Sequence, residues 1–160
     1  MLRVKIICVG KLKEKYLRDA AAEYMKRLSA FCKVQLIECA EERLPEQPSK
    51  GEIDACLKKE SERIRKEIPP GAFVYSMQIE GKQMTSEAFA AHIQKQATAG
   101  KSTLVFLIGS SFGLDEALKE QSDFALSFSQ MTFPHQLARI MLLEQVYRAF
   151  SISAGTKYHK

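Results

Sequence analysis

Thr103-Leu104-Val105-Phe106-Leu107-Ile108 runs for six residues without a charge, and glycines stand close on either side at Gly100 and Gly109. A strand that faces water on one side alternates polar and apolar residues. A run that does not alternate, and is short for a helix, fits a strand covered on both faces, as in a parallel sheet flanked by helices.

Upstream of it, Thr85 or Ser86 can cap a helix that carries Phe89, Ile93 and Ala97 at helical spacing and stops at Gly100. Ala72 to Met77 has strand character and follows a Pro69-Pro70-Gly71 breaker, which ends a highly charged helix striped by Ile53, Leu57, Ile64 and Ile68. Residues 40–50 (AEERLPEQPSK), with two prolines and many charges, are expected to form a loop. Before that loop lie a strand from Val34 to Cys39 and a helix from Glu14 with Leu17, Ala20, Ala21, Tyr24 and Leu28 at helical spacing. The chain opens on a β-type run, Leu2 to Val9, closed by Gly10.

Downstream, a short acidic helix is expected around Asp115 to Glu120, then a strand from Phe124 to Phe128. Pro134 can open a last helix containing Leu137, Ile140, Met141, Leu143, Val146 and Tyr147. Strand and helix thus alternate about five times, which predicts a three-layer α/β domain on a mostly parallel sheet. One such domain accounts for residues 1–160. The last helix is apolar around more of its circumference than a surface helix needs, so it is either central or buried against a second copy of the chain.

With 46% hydrophobic and 27% charged residues, the chain can fill one core and is not disordered as a whole. No stretch is long enough to span a bilayer, and Arg3 and Lys5 break the first apolar segment, which argues against a signal peptide. A cytoplasmic location is the expectation. Cys8, Cys32, Cys39 and Cys56 form no CxxC pair and have no histidine near them, so no metal site is expected. Lys and Arg exceed Asp and Glu by 24 − 19 = 5. The excess gathers at the ends, with net +4 in residues 1–20 and net +3 in residues 131–160. If the ends meet they form a surface suited to a polyanion; the plainer reading is a solvated face.

Parallel α/β sheets bind ligands beyond the carboxyl ends of their strands. Three loops qualify. Ile108-Gly109-Ser110-Ser111-Phe112-Gly113-Leu114 lacks the spacing of a dinucleotide fingerprint or a P-loop, and reads as either a ligand-hugging turn or a simple tight one. Met77 to Lys82 should lie beside it. Leu126-Ser127-Phe128-Ser129-Gln130-Met131-Thr132-Phe133-Pro134-His135-Gln136 holds hydroxyls, aromatics and no charge. Such a loop can hold an adenine ring by stacking and main-chain hydrogen bonds, or can simply pack Phe128 and Phe133 into the core. His92 is expected at the surface of its helix, and His135 in a capping or core role. His159 sits in a basic tail after Gly155, where chain ends usually fray. No Ser-His-Asp arrangement, HExxH motif or helically spaced carboxylate pair is present, so hydrolase and metalloenzyme readings gain no support.

The opening VGKLKEKYL, the IGSSFGL loop, the run ALSFSQMTFPHQLARIMLLEQVYRAFSI and the closing YHK together resemble the ribosomal RNA large-subunit methyltransferase H family, within the SPOUT class. The resemblance spans the whole chain. It implies an α/β domain with a C-terminal trefoil knot, a homodimer, and transfer of a methyl group from S-adenosylmethionine to N3 of a pseudouridine in 23S ribosomal RNA on assembled ribosomes. By position, Met77, Gly109, Phe128, Ser129, Gln130, Met131, Thr132 and Phe133 would bind the cofactor. Tyr158 and His159 would lie near the target base, across the dimer interface or within one chain. His159 could take the N3 proton; alternatively Arg139, Arg148 or Lys157 could stabilise the charge that develops on the base. Relatives commonly carry two consecutive glycines where this chain has Gly109-Ser110. A second glycine needed for positive φ or for close approach would make Ser110 costly. The rival expectations are a non-catalytic ribosome-docking dimer and a nucleotide-binding regulator.

Overall fold

The computed structural model describes residues Met1–Lys160. Its elements are β1 (Arg3–Val9), α1 (Lys15–Leu28), β2 (Lys33–Cys39), α2 (Lys50–Glu67), β3 (Phe73–Gln83), α3 (Ser86–Thr98), β4 (Thr103–Ile108), α4 (Glu116–Gln121), β5 (Phe124–Ser127) and α5 (His135–Ala154). The strands form one five-stranded sheet in the order β2-β1-β4-β3-β5, with every pairing parallel.

The uncharged run at 103–108 is β4, in the middle of the sheet. Strand geometry sends alternate side chains to opposite faces, and here both sets are buried. Leu104, Phe106 and Ile108 join Val4, Ile6 and Cys8 of β1 under α1, α3 and α5. Val105 and Leu107 join Ile7 and Val9 under α2 and α4, through Ile64, Leu114 and Leu118. The absence of alternation in the sequence is therefore the imprint of two helical layers. Removing such side chains from water contributes roughly 1.5–3 kcal/mol each.

The helix boundaries have local causes. Ser49 caps α2 in a full capping box with Glu52, and the Thr85 hydroxyl caps α3 by accepting from the Ala88 N–H. Pro134 stands just before α5, and Gly155 ends it.

One element differs from expectation. β3 continues past Met77 to Gln83, because it pairs with β5 twice: Met77 and Lys82 both face Leu126, with a register shift between them. Gly81 permits this, since a Cβ there would lie 2.8 Å from the Ala125 backbone. His92 also departs from a simple surface position. It is half-buried, its Nδ1 lies 2.8 Å from the Tyr75 hydroxyl, and its ring packs on Phe124. Desolvation lowers its pKa. No helix is long and apolar enough to cross a membrane. All four cysteines are free and buried.

Candidate functional site

The carboxyl ends of β4 and β5, with the middle of β3 where its pairing with β5 shifts register, open into a cavity of about 130 Å³. Met77, Gly109, Phe128, Ser129, Met131, Thr132 and Phe133 all line it; Gln130 does not. Gln78, Ile79, Ser110, His135 and Ala138 also line it, though none of them was expected to bind the cofactor. Their signal was positional: they lie in or beside the loops read from the sequence as ligand-binding candidates.

Backbone geometry makes this cavity. A Cβ on Gly109 would meet the Gly113 carbonyl oxygen at 2.1 Å, so only glycine fits where the 109–113 turn folds back on itself. The turn is closed by the Gly113 N–H donating to the Ser110 carbonyl at 2.8 Å. Ser110 needs no left-handed backbone, because no non-glycine residue in the chain has positive φ. Its side chain leaves the cavity and donates to Glu60 Oε1 at 2.9 Å. The cost expected of a serine at this position is thus avoided by pointing the hydroxyl elsewhere.

In the facing loop, the Ser127 hydroxyl donates to the Ile79 carbonyl at 2.8 Å and accepts from the Ser129 N–H at 3.2 Å, while Ser129 Oγ accepts from the Met131 N–H. The backbone N–H groups of Thr132 and Phe133 have no intramolecular acceptor. Free main-chain donors beside Met, Ile, Leu and Phe side chains fit a ligand that is part apolar ring and part hydrogen-bonding edge. His135 lies at the wall with Nδ1 3.5 Å from Ser111 Oγ, and burial lowers its pKa.

Phe128, with Leu126 and Ser127, also walls a second groove of about 330 Å³ between the start of α3 and α5, which includes Glu144. Beyond it lies the tail. The Tyr158 hydroxyl donates to Glu144 Oε2 at 2.7 Å, and Arg148 pairs with the same carboxylate through Nε and NH2. Arg148 also lies over the Tyr158 ring and donates to His159 Nδ1 at 3.1 Å. His159 Nε2 then faces Glu87 Oε1 at 2.6 Å. Burial, with the Glu144 contact second, pushes the Tyr158 hydroxyl far above its usual range. The tail is therefore packed on its own α5 instead of frayed.

Arg139 lies elsewhere. It is 1% exposed, its guanidinium donates to Glu38 Oε2 at 2.6 Å and to the Gly10 carbonyl at 3.0 Å, and Nε has no partner. Arg139 anchors α5 to the ends of β1 and β2, so its charge is already engaged within the fold. Lys157 is exposed and makes no ion pair. No group of three or more His, Cys, Asp or Glu side chains is disposed to hold a metal ion.

A parallel α/β domain with a backbone-built, uncharged cavity at its strand ends matches what sequence comparison returns. Residues 2–159 match the family model described as "Predicted SPOUT methyltransferase", and the chain belongs to that family. Within it, the chain is 52% identical to the Ribosomal RNA large subunit methyltransferase H of Bifidobacterium adolescentis, over 99% of this chain and all of that protein. It is 47% identical, over the same shares, to the protein of that name from Streptococcus equi subsp. zooepidemicus. Among solved structures, a probable methyltransferase from Bordetella pertussis superposes with a TM-score of 0.58 over 93% of this chain and 96% of its own, at 14% identity, which shows the shared fold.

Proposed function

We propose that this protein transfers the methyl group of S-adenosylmethionine to N3 of a pseudouridine in 23S ribosomal RNA, acting in the cytoplasm as a homodimer on assembled ribosomes. The full-length similarity to ribosomal RNA large subunit methyltransferases H carries this reading. A cavity lined by Met77–Ile79 together with residues of the 108–113 turn and the 126–138 segment supports it.

When bound, S-adenosylmethionine supplies an electrophilic sulfonium methyl group. Phe128, Phe133 and Met77 offer apolar surface to its adenine, and the free N–H groups of Thr132 and Phe133 offer donors to its edge. Alignment of donor and acceptor then supplies most of what the protein must contribute. The acceptor N3 must lose a proton. His159 is the candidate base, with Tyr158 positioning the ring. As folded, both nitrogens of His159 are engaged, Nδ1 by Arg148 and Nε2 by Glu87, so it accepts a proton only after leaving one of them. Lys157, unpaired and exposed, is the cation free to meet a phosphate or a developing negative charge; Arg148 is already neutralised by Glu144. Docking the tail into a partner subunit would provide the change of contacts.

One feature supports the dimer. Tyr24, Phe31, Tyr147, Phe150 and Tyr158 form a half-buried aromatic surface along α1 and α5, of the kind that association covers. Isothermal calorimetry with S-adenosylhomocysteine, alone and with ribosomes, should show saturable binding at fixed stoichiometry per dimer. Its absence in both settings overturns the reading.

A further inference from the structure

We infer that Glu60 is a positioning residue for the methyl-donor cavity, an inference that rests on the donor-site reading above. Glu60 lies in α2, outside the cavity, and is 2% exposed. A carboxylate so buried must be paired or hydrogen-bonded, yet no Lys, Arg or His pairs with it; nearby Arg63 is taken by Glu42. Two uncharged donors hold it instead. Ser110 Oγ donates to Oε1 at 2.9 Å, and the Glu42 backbone N–H donates to Oε2 at 3.1 Å.

One side chain therefore ties the turn after β4 to the loop after β2. That matters because Ser110 stands between two cavities. Its residue lines the donor cavity, and it also lines a polar cavity of about 500 Å³ whose other wall includes Glu41, Arg43 and Leu44. The 109–113 turn has no slack, since Gly109 already sits against the Gly113 carbonyl and Gly113 is bonded to Ser110. A rotation at Ser110 is passed to Gly109. Glu60 holds the hydroxyl outward, and the backbone of the turn then faces the donor. The serine where relatives commonly have a second glycine becomes a tether.

Calorimetry with S-adenosylhomocysteine on four variants tests this. Glu60→Leu, which keeps the volume but offers no acceptor, and Ser110→Ala should each weaken binding about tenfold, equivalent to about 1.4 kcal/mol. The double variant should be no weaker than the worse single one, because both remove the same contact. Ser61→Ala is the structural control. It deletes a neighbouring buried hydroxyl that donates to the Lys58 carbonyl and touches neither cavity. It should lower the melting temperature and leave binding unchanged. Wild-type affinity in either Glu60→Leu or Ser110→Ala, multiplying losses in the double variant, or an equal loss in Ser61→Ala would overturn the inference alone. A wild-type protein that never binds S-adenosylhomocysteine would overturn the donor-site reading itself and the inference with it.

Discussion

The donor cavity is walled by strand ends and two turns, and no Asp, Glu, Lys or Arg lines it. The C-terminal tail, across the Phe128 groove, is held almost wholly by charged and aromatic side chains: Glu144, Arg148, Glu87 and Tyr147. A cavity shaped by close backbone contacts has one geometry and keeps it. A tail held by a few partly exposed hydrogen bonds and ring contacts, each worth about 0.5–1.5 kcal/mol net, can exchange partners at little cost. The proposed function puts cofactor binding in the first region and proton transfer in the second.

Removing Tyr158 and His159 should break the comparison most visibly. Turnover on ribosomes should fall about 10²–10⁴-fold, the usual contribution of a positioned base, while S-adenosylhomocysteine affinity stays within about twofold. Retained turnover would show that the tail does no chemistry. Arg139→Ala, which leaves Glu38 with only the Leu12 N–H and frees the start of α5, should cost about 1–3 kcal/mol in urea denaturation. A loss of RNA binding without loss of stability would return Arg139 to the substrate. Gly109→Ala forces the turn open against the Gly113 carbonyl and should weaken S-adenosylhomocysteine by about 1–3 kcal/mol, read by calorimetry.

The smallest effect concerns pH. Burial lowers the pKa of both His92 and His135, so the folded protein resists protons that the unfolded chain accepts. Stability from these groups is present above an unfolded histidine pKa of about 6.5 and is lost as pH falls through the lower folded values. Thermal melts from pH 7.5 downward should show this decline, and His92→Gln should flatten it in part.

Much of this was legible because local chemistry decided it. The double burial of β4, the Thr85 cap and the Pro134 start of α5 are written within a few residues of where they act. What escaped depends on distant partners. Arg139 reads as a surface cation until Glu38 and Gly10, 101 and 129 residues away, are seen to enclose it. His92 reads as exposed until Tyr75 and Phe124 come beside it. The extension of β3 to Gln83 needs a second pairing with β5 that no period in the sequence announces. The cavity residues from Met77 to Phe133 came from family resemblance; physical reading alone left both loops open between ligand binding and packing.

The central claim is best tested by incubating the protein with methyl-labelled S-adenosylmethionine and ribosomes that lack the modification, then locating the label by nuclease digestion and mass spectrometry. The account predicts a single labelled methyl per large subunit, on N3 of a pseudouridine in 23S rRNA. Label on another atom, or none in rRNA from a folded protein that binds S-adenosylhomocysteine, would contradict it.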